Sequence, residues 1–413
     1  MKLFKPHLLF SILLVGLIPL ESSAQEVVYD PPSKRGTFSY DVNFLEEYTG
    51  VVVLGAIDSN GKILVTPTMQ GRVMTSSVSG DTGKSLGWVN HELIESGEIL
   101  EQFTPYGGED RFWIAPEGGQ YSVFITPGED MVFENWYVPP GMNTEPWNLV
   151  SQSGSHVSVE KDLLLTNYSN VRYEMHANRT INLLNGPEVE SLMGIEVMEN
   201  IQQVAYETEN TIRNTGKQAW TKETGAPAIW ILSMFTPAPG ITVVVPFKEG
   251  AEDELGPIAT TDIFGEITEE RLKIDDGVIY FKVDGEKRRK FGVGPKRAHP
   301  VAGSYDETNN ILTIIQYTFP ENNLDFVNQQ WEIQDEPYNG EVVFAYNDGP
   351  LEDGSQLGPF YELESSSPAA FLAPGEELTH HHRVFHFSGE GEALNRISEQ
   401  VLGVSLQEIV EAF

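Results

Sequence analysis

From Phe38 onward one pattern recurs along the chain. Short runs in which apolar and polar residues alternate are separated by Gly, Pro, Asn and Asp. Successive side chains of an extended strand point to opposite faces, so alternation of period two marks a sheet with one face buried. Val51 to Ile57 and Lys62 to Pro67 flank the turn Asp58-Ser-Asn-Gly61 and predict a hairpin. Val157 to Thr166, Tyr173 to Leu184, Val204 to Asn214, Ile311 to Phe319, Val342 to Tyr346, Phe360 to Glu364 and His382 to Phe387 predict further strands. Ala226 to Gly240 is almost wholly apolar and predicts a strand buried on both faces. Helical spacing is concentrated at the end, over 391–402 and 405–413, where Ser405 and Glu408 fit a capping box. A weaker helical pattern covers 188–200 and is interrupted by Gly194. The expectation is an all-β chain, a large antiparallel β-sandwich with a short helical segment at 391–413 packed on its edge. No linker is long or biased enough to divide residues 25–413, so one domain is expected there.

The chain contains no cysteine, which removes disulfides and thiolate metal sites. The formal charge of −35 is spread along the sequence. It argues against nucleic acid or an anionic membrane as partner. Residues 1–24 have the form of a cleaved secretory signal. Lys2 and Lys5 precede the apolar run Leu8 to Leu20, and Ser22, Ser23 and Ala24 lead to a cut before Gln25. The run is short for a membrane span and no second one follows. A periplasmic or secreted protein is expected.

Two segments concentrate chemistry. In Gly107-Gly-Glu-Asp-Arg-Phe-Trp-Ile-Ala-Pro-Glu-Gly-Gly119, glycine pairs bracket a strand that puts Arg111 and Trp113 on one face. A guanidinium beside an indole suits a sugar: Arg donates to its oxygens and Trp stacks on its C–H face. The same pair also fits a core Trp with a covering Arg. Near the C-terminus, Glu362 and Glu364 alternate with Leu363 and share a strand face, about 7 Å apart. Such a pair projects into solvent or into a polar cleft.

Leu363-Glu364-Ser365, then Pro368, then Leu372-Ala-Pro-Gly-Glu376 resembles the last strands of the galactose mutarotase (aldose 1-epimerase) family. Gly71-Arg72 and the Arg111, Trp113, Pro116-Glu117 segment are similar to other stretches of mutarotase-like proteins. The resemblance spans about residues 45 to 388 and implies the family's large sandwich, or supersandwich. It implies Glu364 as general base. Glu362, on the same strand face, is expected to support it or to contact substrate beside it. In that family a His protonates the ring oxygen while the Glu takes the proton of the anomeric hydroxyl. The family's Asn/Ser-His-x-aromatic-x-Asn segment has no counterpart here, so His176, His299 and His382 stand in by residue type only. His176 lies on a strand face with Arg172, Glu174 and Asn178.

The one basic stretch, Lys282 to Arg297, ends at Arg297-Ala-His299. It reads as a contact for a uronic or sulfated glycan or as a solvated hairpin, with Arg297 and His382 as candidate substrate contacts. His380 and His382 share a strand face, yet no metal or cofactor is expected. The functional expectation is an exported protein that acts by acid/base chemistry on a sugar or oligosaccharide. A binding protein without catalysis, and a lyase or glycosidase on the same fold, are the alternatives.

Overall fold

The computed structural model describes residues 34–55, 60–320, 322–351 and 353–413. The signal segment 1–24 and half of the turn at 58–61 lie outside the described residues. Strand makes up 37% and helix 13% of the chain, so the all-β expectation is met.

Among the described residues the strands form three antiparallel sheets. The largest has ten strands, in the order Leu272–Asp275, Val278–Lys282, Ile241–Pro246, Val301–Asp306, Ile311–Tyr317, Glu377–Ser388, Gln202–Asn214, Arg172–Leu183, His156–Thr166 and Asn148–Gln152. A five-stranded sheet runs Arg289–Val293, Val343–Asn347, Tyr361–Ser366, Ala228–Phe235, Arg111–Ala115. The two pack face to face, and their inner faces share one apolar core that includes Phe112, Ile231, Phe291, Leu363, Ile315 and Val384. A small sheet of Val52–Gly55, Lys62–Thr66 and Arg72–Ser77 carries the predicted hairpin.

The interface between the two large sheets also holds polar groups, each with a partner. Arg179 and Asp110 form a fully buried ion pair. Arg179 also donates to Asn210 Oδ1 at 2.9 Å and to the Gly71 carbonyl at 3.2 Å. Glu109 accepts from Ser76 at 2.7 Å and lies 2.7 Å from His386 Nε2. Buried charge persists only where such partners satisfy it.

The C-terminal helices Gly391–Val401 and Leu406–Val410 form where expected, and the Ser405–Glu408 capping box is present. They do not sit on the sandwich edge. They cover the outer face of the ten-stranded sheet, where Leu394, Ile397 and Ile409 join Phe385, Phe387 and Leu312 in a second core. Alternation along Glu377–Ser388 explains this: Val384 points to the first core and its neighbour Phe385 to the second. The strand pattern expected from Phe38 is also corrected. Phe38–Glu46 is a helix whose buried residues Phe38, Asp41 and Leu45 recur at helical spacing. The weak pattern over 188–200 resolves to the helix Gly186–Met193, capped by Asn185 and closed at Gly194.

Candidate functional site

The outer face of the five-stranded sheet differs from its inner face in kind. Inner positions are mostly apolar or hydroxyl-bearing, whereas the outer face carries most of the sheet's charges and its indoles. Register pairs set the arrangement. Trp113 lies opposite Trp230, and Arg111 opposite Leu232. Leu232 in turn faces Glu364, and Met234 faces Glu362. Across the next strand Glu362 faces Tyr346, which faces Lys290. Diagonal neighbours on a sheet face are within reach of long side chains. Arg111 takes one diagonal to Glu362 and Lys290 takes another to Glu364, giving two hydrogen-bonded pairs of cation and carboxyl that cross the sheet. All four side chains are nearly or wholly withdrawn from solvent.

The sheet alone does not enclose a site; loops close over it. Phe103, Trp136 and Trp331 wall a cavity whose floor is Trp113, Trp230, Arg111, Lys290 and Glu362. Trp136 stacks on Trp331 at 6.1 Å and 19°, and on Phe124 at 5.8 Å and 4°. At the mouth, Phe133 is 38% exposed, and Phe264, Arg288 and Leu357 are half-buried. The volume is about 60 Å³. The loop glycines permit this closure. Gly108 has φ +119°, and a Cβ there would meet the Arg72 side chain at 2.4 Å and Arg111 Cγ at 3.4 Å. A side chain at Gly118 would meet the Gln330 carbonyl at 2.4 Å, beside Trp331.

Donors in this cavity outnumber their acceptors. Arg111 Nε and Nη1, Trp113 Nε1, Trp136 Nε1 and Arg288 Nε are buried without a hydrogen-bond partner among the described residues. Buried donors are nearly always satisfied in folded proteins. A cluster of five in one cavity fits a ligand rich in oxygen acceptors. The cations are held by rings as well as by carboxylates. Arg111 lies 5.1 Å from the Trp113 ring and Lys290 lies 4.7 Å from the Trp230 ring.

Burial sets the protonation of the carboxyls. It pushes Glu362 up to about 8, against the opposing pull of Arg111 and with the help of the Glu364 charge. It also raises Glu117, the other carboxyl on the wall. A carboxyl held as high as that of Glu362 exchanges its proton near neutrality.

The structure brings Arg111, Trp113 and Glu362 together at one cavity and places Glu364 beneath its floor. Glu364 is fully buried there. Its Oε2 accepts from Trp230 Nε1 and from Lys290 Nζ, both at 2.9 Å. It supports the floor, and Glu362 is the carboxyl that meets the cavity. The other candidates are elsewhere. His176 lies on the solvent face of the ten-stranded sheet, 2.8 Å from Asp162. Arg297 is buried, and its guanidinium donates to the carbonyls of Lys248, Gly250 and Gly256. It clamps a loop with four of its five N–H donors, away from the cavity. His299 is half-buried in the turn before Val301–Asp306, outside the cavity, with its value lowered by burial and by Lys248. His382 faces the inter-sheet core, where Ser365 Oγ bridges its Nδ1 at 2.8 Å and His380 Nε2 at 2.9 Å. Burial lowers His382 to about 3, so it is neutral. Among the described residues no group of three or more His, Asp or Glu is placed to hold a metal ion, and no helix is long and apolar enough to cross a membrane.

Lys290, Trp230, Trp136, Trp331 and Glu117 were not singled out from the sequence. Lys290 and Glu117 carried a signal, since each interrupts its stretch at the parity of the outer face. Trp136 carried none, because its loop has no period.

The sequence pattern of one family covers residues 36–413. The chain belongs to the family of unknown function DUF6786. No curated protein matches this DUF6786 chain. Solved structures similar to it include the Slr1438 protein from Synechocystis sp. PCC 6803, at 12% identity over 83% of this chain and 96% of that one, with a TM-score of 0.48. A galactose mutarotase-like protein from Lactobacillus casei ATCC 334 is 10% identical over 82% of this chain and 100% of that one, at 0.44. A galactose mutarotase related enzyme from Lactobacillus acidophilus is 8% identical over 82% and 98%, also at 0.44.

Proposed function

We propose that this chain is an exported carbohydrate-active protein in which the end of a sugar enters the indole-walled cavity and Glu362 transfers a proton there. The observation that carries the reading is the conjunction of stacked indoles, five unpartnered donors and a buried carboxyl of raised pKa in one cavity. Indoles offer flat apolar faces for sugar C–H groups, and the donors match ring and hydroxyl oxygens. Glu362, protonated at neutral pH, is poised as general acid toward a ring or bridging oxygen. Glu117 on the same wall is the carboxyl able to take the proton of an anomeric hydroxyl or of water. Arg111, Arg288 and Lys290 favour a sugar that carries a carboxylate over a neutral one.

The test is a panel of glucose, galactose and glucuronate, with oligosaccharides of each. Binding is followed by tryptophan fluorescence, with polarimetry for mutarotation and chromatography for chain cleavage. Binding that quenches indole emission, with turnover lost in Glu362→Gln, is expected. Binding without turnover by wild type would make the protein a sugar binder and Glu362 a ligand contact. Absence of any binding would refute the carbohydrate reading. Export is tested separately, by mass spectrometry of the mature N-terminus, which should begin at or near Gln25. Retention of residues 1–24 would refute it.

A further inference from the structure

The cavity is too small for a whole sugar. About 60 Å³ accommodates about four waters, well below the roughly 300 Å³ at which small-molecule sites begin. A ligand held there by its end must continue outside, and the surface beside the cavity is shaped to receive it. A trough of about 340 Å³ adjoins it. The two share a wall, since Trp331 lines the cavity and its neighbour Gln330 lines the trough. One segment links their floors. Lys290 and Gly292 lie on the outer face of the strand Arg289–Val293, with Lys290 in the cavity, and Gly294, directly after the strand, lines the trough. Between them Gly292 exchanges backbone hydrogen bonds with Thr260 at 2.9 and 3.0 Å. A Cβ on Gly292 would meet Glu341 Cγ and Phe344 Cδ1, both at 2.7 Å, so these two side chains pack closely over the strand between cavity and trough, and a ligand would pass above them. The trough runs on without a break into a second depression, with Lys296, Leu324 and Asn339 lining both.

The chemistry changes along this path. The cavity is indole and charge, whereas the trough is lined by Asn328, Gln330, Asn339, Thr260 and a single ion of each sign, Lys296 and Glu341. Side-chain amides donate and accept at once, which suits successive hydroxyl groups. The Arg297 clamp on the carbonyl of Gly256 fixes the trough's far lip.

We infer that the ligand is an oligosaccharide of three or more residues, whose terminal sugar probes the cavity while the following ones lie in the amide-lined trough. This rests on the carbohydrate reading of the cavity. Gly294 supplies the test. Its φ lies outside the left-handed region, and a Cβ there meets nothing within 4 Å. Gly294→Ala, Gly294→Leu and Gly294→Trp therefore fill the trough in steps and leave the cavity unaltered. Titration calorimetry would compare glucose, galactose and glucuronate with their 1,4-linked di-, tri- and tetrasaccharides. Thermal melting of each variant would check folding, and Lys296→Ala would serve as a second trough variant at an exposed site.

The expected result is affinity rising about tenfold or more from one to three residues, the gain of one or two net hydrogen bonds. That gain should fall in the order Ala, Leu, Trp at position 294, with monosaccharide affinity unchanged. Affinity independent of chain length, or a gain that survives both Gly294→Trp and Lys296→Ala, overturns the inference and leaves the cavity reading standing. Failure of every sugar to bind overturns the cavity reading itself.

Discussion

Replacing Glu362 by Gln isolates what burial does to this carboxyl. Two effects oppose each other at the site. Withdrawal from water penalises the charged form, and the Arg111 guanidinium rewards it. Burial wins, so the folded value lies at about 8 against an ordinary 4.5. Between those values the folded chain binds more protons than the unfolded one. The contribution of this group to stability is therefore full below pH 4.5 and is lost as pH rises to about 8. Each pH unit in that window carries about 1.4 kcal/mol, which sets a ceiling of about 5 kcal/mol. Reorganisation around a buried charge lowers what is realised, to about 2–4 kcal/mol. Gln has the same shape and does not titrate, so the variant is free of this slope. In a chain of this length one kcal/mol moves Tm by about 1–2 °C. The Tm of Glu362→Gln, measured against wild type by scanning calorimetry, should thus gain about 3–6 °C between pH 5 and pH 9. A difference that stays flat between pH 5 and pH 9, with any change confined to lower pH, would show that the Arg111 pairing outweighs burial. Glu362 would then be an ordinary carboxylate at neutral pH, and its role as an acid would fall.

Trp113→Phe keeps a ring against Trp230 and Phe103 but removes the unpartnered Nε1 donor. It should melt within a few degrees of wild type and bind sugar about 3–10-fold more weakly, the loss expected for one net hydrogen bond. Unchanged affinity would place that N–H outside the site. Arg179→Ala leaves Asp110 buried without its cation, which should cost about 3–5 kcal/mol and lower the soluble yield. A melting temperature like that of wild type would show that the inter-sheet pair is dispensable.

The sheets were legible because alternation is a local signal. Tyr173, Met175 and Ala177 entered the core and His176 stayed on the other face, as their parity requires. The capping box at Ser405 was legible for the same reason, since cap and partner lie three residues apart. The corresponding box at Asn185 and Glu188 is equally local. The covering of the ten-stranded sheet was not legible from one face alone. Phe385 and Phe387 needed a second core, and only the placement of Leu394 and Ile397 shows where it is. The site was half legible. Its residue types and faces could be read for Arg111, Trp113 and the two glutamates. Their pairing could not, because Arg111 and Glu362 are 251 residues apart and meet only through the strand order of the five-stranded sheet. A single step of parity decided the histidines. His380, His382 and His386 fall on the inner side of their strand and so became part of the interior.

The division of labour between Glu362 and Glu364 is open to a decisive comparison. Glu364 holds Lys290 and Trp230 in place from beneath the floor. Glu364→Gln alone would leave the Lys290 ammonium buried without its partner, at a cost of about 3–5 kcal/mol. Pairing it with Lys290→Met removes both charges and avoids that cost. For Glu362 the double change deletes one neighbour that raises its value and a weaker one that lowers it, while burial, the largest cause, stays. The alkaline limb of the pH–rate profile should therefore move only slightly, toward lower pH, and the rate should fall by less than the 10²–10⁴-fold typical of a lost proton-transfer group. Glu362→Gln should instead abolish that limb and show the full loss. If the double variant loses as much as Glu362→Gln does, and Glu362→Gln retains a normal limb, then Glu364 is the group that moves the proton. Its buried position would then demand that the floor formed by Trp230 open during turnover.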